Sequence, residues 1–280
     1  MNQSSCLCGA VSWQTDGPYE FMSHCHCARC RKAHGAAFAT YFMVPPERLR
    51  LAGAEYVARF EAASAGFARC FCGRCGSVVP GDPFDGQTFV PAGNLLDDPV
   101  QRPQMHIFVA SKAPWYDIVD PLPRFDAYPP GVDAPVVADR PPVDPGGAPR
   151  GSCLCGGVTY VVEGKPLRAM NCHCWRCRAA RSAAHASNLF TNADGVRFTR
   201  GADLLASYKL PDARYFMQVF CHTCGSPAPR VDRDRDLAVV PMGGLDDDAG
   251  LRPQAHIFVG SKAPWFEIAD ALPQHQAAPG

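Results

Sequence analysis

The sequence SCLCGAVSWQTDGPYEFMSHCHCARCR, at positions 5–31, decides how the rest of the chain is interpreted. It returns without a gap as SCLCGGVTYVVEGKPLRAMNCHCWRCR at positions 152–178. FCGRCGS at 71–77 then returns as FCHTCGS at 220–226, and RPQMHIFVASKAPWYDI at 102–118 returns as RPQAHIFVGSKAPWFEI at 252–268. Three blocks that recur in the same order predict two tandem copies of one domain.

The length agrees with this organisation, because 280 residues suit two domains of about 140 residues each. We predict a first domain at 1–128, a linker at 129–149 and a second domain at 150–280. Seven of the 21 linker residues are proline, which favours an extended polyproline-type spacer. The alternative is an ordered strap that packs across both domains through Val132, Val136 and Val137.

The composition favours a mainly β fold, because 27 prolines and 25 glycines disfavour long helices. We predict strands at 10–15 and 157–163, each after a Cys-Gly turn, and short buried strands at 106–109 and 256–259. Short helices are predicted at 31–37 and 178–186, which are rich in Ala and Arg. The predicted fold class is therefore mainly β, with two tandem copies of a small β-rich domain joined by a Pro-rich linker.

Charge and hydropathy exclude several function classes. Lys plus Arg equals Asp plus Glu, at 27 each, so there is no excess positive charge for nucleic acid or an anionic membrane. No apolar run reaches the roughly 20 residues that span a bilayer. The N-terminal sequence lacks the basic and apolar regions of a secretory signal. We expect a cytoplasmic protein with no nucleic-acid or membrane partner.

The fifteen cysteines are the informative feature of the composition. An odd number without an export signal argues against a disulfide scaffold, whereas closely spaced thiols are typical metal ligands. Thiolate ligands favour zinc, with iron–sulfur clusters as the main alternative. Each copy has a Cys-x-Cys pair, a Cys-x-Cys-x-x-Cys triplet and a Cys-x-x-Cys pair. These are Cys6/Cys8, Cys25/Cys27/Cys30 and Cys72/Cys75, then Cys153/Cys155, Cys172/Cys174/Cys177 and Cys221/Cys224.

Seven cysteines per copy divide into four and three. Four thiolates form a closed structural zinc site, and three leave one position open for water or a substrate sulfur. Joining the two outer pairs would connect the start of the domain to its C-terminal half, with the triplet as a separate site. The sequence also permits a different partition, in which Cys30 joins Cys72 and Cys75. The triplet could equally be a second structural zinc site completed by a remote ligand.

The order C-x-C-G-x-V, C-H-C-x-x-C-R, F-C-x-x-C-G-S, then H-I-F with S-K-A-P-W resembles the GFA family. This family comprises glutathione-dependent formaldehyde-activating enzymes and centromere protein V-like proteins, and the resemblance covers nearly the whole chain, twice. It implies a closed zinc and a labile zinc in each domain, hence up to four Zn²⁺ per chain. The implied closed sites are Cys6, Cys8, Cys72, Cys75 and Cys153, Cys155, Cys221, Cys224. The implied labile sites are Cys25, Cys27, Cys30 and Cys172, Cys174, Cys177.

The resemblance implies carbon–sulfur lyase chemistry on thiol–aldehyde adducts such as S-hydroxymethylglutathione, with a thiol such as glutathione and an aldehyde as partners. The thiolate sets agree in kind, because zinc-bound thiols have lowered pKa values and are nucleophilic at neutral pH. The alternative is a non-catalytic zinc scaffold or binding module. A scaffold would need only the closed site, so the triplets in both copies favour an enzyme.

We also predict roles for residues at four other positions. His26 and His173 lie between triplet cysteines and are candidate proton-transfer groups, although a residue there could equally face away from the metal. Cys70 has no counterpart, since Val219 holds its place, and it could be a ligand, a redox-sensitive thiol or an inert buried cysteine. Gly35 of the first copy is replaced by Ser182, which tolerates positive φ less well. This replacement argues against substrate binding by the second copy.

Overall fold

The computed structural model describes residues 1–19, 21–61, 68–132, 136 and 147–278. In the first copy, β1 (Asn2–Ser5), β2 (Ser12–Thr15) and, later, β5 (Leu49–Ala52) form an antiparallel sheet in the order β1-β2-β5. A second sheet has the order β8-β4-β3-β9, and β6 pairs with β7. The remaining strands are β3 (Met22–Cys25), β4 (Ala39–Val44), β6 (Val57–Glu61), β7 (Ala68–Cys72), β8 (Thr88–Pro91) and β9 (Met105–Ile107).

The second copy also has three sheets, of which the largest has six strands instead of four. They have the orders β10-β11-β14, β17-β18-β13-β12-β19-β20 and β15-β16. The strands are β10 (Arg150–Ser152), β11 (Thr159–Val162), β12 (Arg168–Cys172), β13 (Ala186–Thr191), β14 (Val196–Arg200), β15 (Leu205–Lys209), β16 (Met217–Cys221), β17 (Arg230–Asp232), β18 (Leu237–Pro241), β19 (His256–Ile257) and β20 (Gln274–His275). The prediction of a mainly β chain is confirmed, and the strands after each Cys-Gly turn form as expected.

Each copy has one short α-helix in its described part, α1 (Ala28–His34) and α2 (Trp175–Arg181). The predicted bounds, 31–37 and 178–186, were wrong: both helices start three residues earlier, and they end three and five residues earlier. The helices begin directly after Cys27 and Cys174, because each of these cysteines caps the helix by accepting a hydrogen bond from the backbone N–H three residues later. The third cysteine of each triplet therefore lies inside a helix.

The predicted strands at 106–109 and 256–259 are too long at their ends. β9 ends at Ile107 and β19 at Ile257, because Phe108 and Phe258 adopt left-handed backbone conformations with φ of 58° and 57°. A 3-10 turn then begins at Val109 and at Val259. Six further 3-10 turns lie in the described residues, at Pro46–Arg48, Ala54–Tyr56, Ala92–Asn94, Ala193–Gly195, Ala202–Leu204 and Met242–Gly244.

The two copies pack against each other and share one apolar core. The core includes Trp13, Trp115 and Trp265, each at most 2% exposed. Each helix faces a glycine of the opposite copy: a Cβ on Gly93 would lie 2.0 Å from the Ala183 nitrogen, and one on Gly243 would lie 2.3 Å from the Ala36 nitrogen. Only glycine allows so close an approach of two backbones.

The predicted linker lies mostly outside the described residues, as does Val137. Of the two other valines on which the strap alternative depends, Val132 is 47% exposed and Val136 is 59% exposed. Neither is docked on a domain. The boundaries at 128 and 150 stay predictions.

Candidate metal centres and their surroundings

Fourteen of the fifteen cysteines come together in four groups, in each of which the sulfurs lie within 4.8 Å of one another. Two groups have four members and two have three. The groups are Cys6, Cys8, Cys72, Cys75; Cys153, Cys155, Cys221, Cys224; Cys25, Cys27, Cys30; and Cys172, Cys174, Cys177. The structure thus joins the outer pairs and keeps Cys30 apart from Cys72 and Cys75.

Each four-cysteine group joins the turn after the first strand to the turn that follows β7 or β16. The Cys6 and Cys8 sulfurs are 3.5 Å apart, and those of Cys8 and Cys72 are 3.7 Å apart. A tetrahedral zinc with sulfur ligands at about 2.3 Å sets its sulfurs about 3.8 Å from one another. The corresponding distances in the second copy are 3.3 Å and 3.8 Å. The donor set and its spacing therefore fit zinc, with no vacant position.

A serine supports each of these groups. Ser77 Oγ accepts a hydrogen bond from the Leu7 backbone N–H at 3.0 Å and lies 3.3 Å from the Cys75 sulfur. Hydrogen bonds from the thiols of Cys6 and Cys72 lower the pKa of Cys75 to about 7. Ser226 and Cys224 repeat the arrangement, with a pKa of about 6 at Cys224. At Cys75 and Cys224, the lowered pKa favours the thiolate form in which a cysteine binds a metal.

Each three-cysteine group is built on the turn from a strand into a helix. Cys25 ends β3, Cys27 caps α1, and Cys30 lies in its first turn. The Cys25 and Cys27 sulfurs are 3.6 Å apart, as are those of Cys172 and Cys174. No His, Cys, Asp or Glu among the described residues completes either group to four. Cys27, Cys174 and Cys177 are only half-buried, so each group is partly exposed to solvent.

The helix that carries each triplet ends in the same conformation in both copies. Gly35 has a φ of 58°, and Ser182 has a φ of 51°. Ser182 Oγ donates a hydrogen bond of 2.8 Å to the Val78 carbonyl of the first copy, which helps to hold this backbone. The serine therefore ends its helix in the same left-handed conformation as Gly35 does. The effect of this replacement on substrate binding stays a prediction.

His26 and His173 lie in the interior and are both 0% exposed. His26 Nε2 is 2.8 Å from His106 Nδ1, and His106 Nε2 is 3.0 Å from the Asp120 carboxylate. Since a carboxylate only accepts, His106 donates to it and in turn accepts from His26. His173, His256 and Asp270 form the same chain.

Burial, together with the charge of His106, lowers the pKa of His26 to about 3, so the ring is neutral at neutral pH. The bonded chain fixes the ring between two triplet cysteines, which gives it a positioning role. Proton transfer by His26 or His173 stays a prediction. Asp120 and Asp270 were missed because they follow the histidines that recur in the two repeats at a distance of 14 residues, with no motif of their own.

A second chain of polar groups adjoins only the first triplet. Arg69 donates to the Tyr41 hydroxyl and, over 3.7 Å, to the Cys30 sulfur. His34 Nδ1 donates to the Arg181 carbonyl at 2.7 Å, so His34 Nε2 accepts from Tyr41, also at 2.7 Å. The thiols of Cys25 and Cys27, with the charge of Arg69, hold the pKa of Cys30 well below its usual value.

The second copy replaces each member of this chain. Asn188, Gln218 and Arg181 occupy the positions of Tyr41, Arg69 and His34. Arg181 is 8% exposed and lies close enough to Cys177 for the thiolate charge to act on its pKa. Comparing the two repeats residue by residue is the signal that would have found this difference.

Cys70 is the cysteine outside the four groups. It lies in β7, is 3% exposed, and burial raises the pKa of its thiol. In the described residues it joins no group of potential ligands.

The fold and these thiol groups define a class of proteins: β-rich domains with one closed and one open cysteine site, here present twice. A family model described as "Glutathione-dependent formaldehyde-activating enzyme" matches residues 1–111 and 148–261. The chain therefore belongs to the GFA family, as two tandem GFA domains.

Other comparisons add little to this. A crystal structure of a Rhodobacter sphaeroides protein is 28% identical and covers 34% of this chain and 86% of its own, with a TM-score of 0.29. Comparison with curated proteins found no match. Among the described residues, no helix has the length and apolar character to cross a membrane.

Proposed function

We propose that this protein is a zinc-dependent enzyme that makes or breaks carbon–sulfur bonds in thiol–aldehyde adducts, such as S-hydroxymethylglutathione. Family membership supports this class of activity. The observation that carries the proposal is the contrast between the sites: four thiols enclose one centre, and three half-buried or buried thiols form the other. A purely structural protein has no need of the second kind.

The reaction needs no oxidant or reductant. The sulfur of the thiol forms a bond to the carbonyl carbon, the π electrons of the C=O bond move to oxygen, and that oxygen takes the proton released by the thiol. The reverse reaction expels the thiolate and restores the aldehyde. Zinc at the triplet supplies one element of this chemistry, since it lowers the pKa of a bound thiol.

The chain's own residues hold the site for this reaction. The charges of three thiolates and one Zn²⁺ sum to −1, so the site is a weak Lewis acid and a good holder of thiolate. The helix N-cap at Cys27 and the buried His26–His106 pair fix the triplet turn. Arg69 places a positive charge beside Cys30 and offsets the negative charge of the thiolates.

The test follows the exchange between glutathione, formaldehyde and their adduct by NMR. The wild-type chain should accelerate exchange above the uncatalysed rate, and a chain with both Cys27→Ser and Cys174→Ser should not. A matched control is Cys70→Ser, which alters a buried cysteine outside the four groups and should keep the activity. Exchange at the uncatalysed rate with zinc-loaded wild-type protein would refute the proposal and favour a zinc scaffold.

A further inference from the structure

A group of aromatic side chains, which we refer to as the aromatic rim, lies next to the first triplet and consists of Tyr41, Phe108, Phe125 and Tyr128. Tyr41, Phe108 and Phe125 pack against the apolar cluster that contains Cys25 and Cys30. The Tyr128 ring meets that of Phe108 edge-on, with centroids 4.8 Å apart. Burial and the charges of the triplet thiolates raise the pKa of Tyr128.

The segment after β9 builds this rim. The Phe125 backbone N–H donates to the His106 carbonyl at 2.9 Å, and the Phe108 N–H donates to the Ala127 carbonyl at 3.2 Å. These bonds hold Phe125 and Tyr128 alongside the strand that pairs with β3, which ends at Cys25. All four rim residues are half-buried, so each contacts the protein on one side and is accessible on the other.

The second copy keeps the backbone and loses the rim. The His256 N–H donates to the Pro273 carbonyl at 2.8 Å, as the His106 N–H does to the Pro123 carbonyl in the first copy. The equivalent side chains, however, are Asn188, Phe258, His275 and Ala278. In the described residues, no apolar cluster forms around Cys172, Cys174 and Cys177.

Building on the proposed function, we propose that the two triplets bind different thiols. The first accepts a thiol whose carbon body is an apolar ring, with the sulfur at the open position of the triplet and the ring packed against the aromatic rim. Aromatic faces stabilise such a ring by burial and by edge or offset contacts. At the rim positions the second triplet has one aromatic and three small or polar side chains, and Trp175 of its own turn is 47% exposed. We propose that without a packed rim it accepts small polar thiols without that preference.

The experiment uses full-length protein loaded with Co²⁺, whose visible spectrum changes when a fourth sulfur binds at a triplet. Cys177→Ser leaves only the first triplet intact, and Cys30→Ser leaves only the second. Each variant is titrated with benzyl mercaptan and with 2-mercaptoethanol. We expect the first triplet to bind benzyl mercaptan about tenfold or more tightly than 2-mercaptoethanol, and the second to differ by less than about threefold.

Substitutions of rim residues, made in chains that keep all their cysteines, test whether the rim causes the preference for benzyl mercaptan. Phe125→His and Tyr128→Ala carry the residues of the second copy and should remove the preference. His275→Phe should create part of it at the second triplet. If both triplets bind the two thiols with equal ratios, or the rim variants keep the preference, the inference is wrong and the proposed function stands. If no thiol changes either spectrum, the proposed function fails as well.

Discussion

Lys32 of the first copy and Asp246 of the second form a buried ion pair across the interface between the copies. The Lys32 side chain is 4% exposed and that of Asp246 is 16% exposed. Lys32 Nζ also donates to Ser152 Oγ at 2.6 Å and to the Ser152 carbonyl at 3.1 Å. The related positions on the other side of the interface are Ala179 and Leu96, so the pair breaks the internal symmetry.

Removing one partner of this pair should be costly. We expect Lys32→Met to destabilise the chain by about 3 kcal/mol, because Asp246 keeps its charge without its partner. Adding Asp246→Leu should recover a large part of the loss. Arg102→Met is the control, since it breaks the exposed Arg102–Asp98 pair and should cost less than about 1 kcal/mol. Urea unfolding measures these differences, and equal losses for Lys32→Met and Arg102→Met would contradict the expectation.

The two interface glycines provide a second test of how the copies pack. Gly93→Ala and Gly243→Ala each add a methyl group that overlaps the backbone of the opposite copy. We expect a loss of about 2 kcal/mol or more for each, because a backbone cannot move aside as a side chain can. The control is Gly147→Ala, where an added Cβ has no atom within 4 Å. Thermal unfolding of the three variants tests this expectation. An unchanged unfolding midpoint for Gly93→Ala would contradict the described packing.

The closed and open thiol groups should respond differently to loss of one sulfur. Cys8→Ser removes a ligand from a group that joins the N-terminal turn to the end of β7, so stability should fall by at least about 3 kcal/mol, a fraction of what structural zinc contributes. Cys27→Ser should change stability less and abolish thiol binding at the first triplet. Calorimetry and thiol titration of both variants test this pattern. Equal stability losses would indicate that the triplet is a second structural site.

Part of the loss of folding stability at acidic pH should come from His34. Burial, with the nearby charge of Arg69, lowers its pKa to about 4 from the ordinary histidine value of 6.5. The unfolded chain therefore binds a proton more readily, so stability is fully present above about pH 6.5 and falls as the pH falls towards 4.

The size of this effect can be measured by urea unfolding. Between pH 7.5 and pH 5.5, we expect His34→Asn to lose about 1 kcal/mol less stability than the wild type. His275→Asn, at a half-buried histidine near the end of the chain, is the matched control and should follow the wild type. A wild-type pH dependence in His34→Asn would show that this histidine is not responsible.

Much of the site could be predicted from the sequence because metal ligation is encoded in short spacings. The duplication and the Cys-x-Cys and Cys-x-x-Cys turns identified the 14 cysteines that the structure brings together. The sequence left their partition open, since joining Cys6 to Cys75 depends on how β1, β2 and β7 meet in three dimensions. The helix starts were wrong because a cysteine side chain replaced the usual N-cap residues.

The surroundings of the triplets could not be predicted, because they depend on contacts between distant segments. Asp120 reaches His106 only because the chain returns alongside β9. The chain from Arg69 through Tyr41 and His34 ends on a carbonyl of the other copy, so it exists only when the copies pack. The sequence shows that Asn188 replaces Tyr41 in the second copy. The consequence of this replacement could not be predicted without knowing where the rim lies.

The most direct test of the central claim, that each copy has a closed metal centre and an open one that binds thiols, is zinc per chain by elemental analysis. The measurement is made on purified protein, then after mild chelation, and again with glutathione present. We predict four zinc ions, of which chelation removes two and glutathione changes the lability of the same two. Two tightly held zinc ions that neither treatment affects, even after incubation with excess zinc, would contradict the claim.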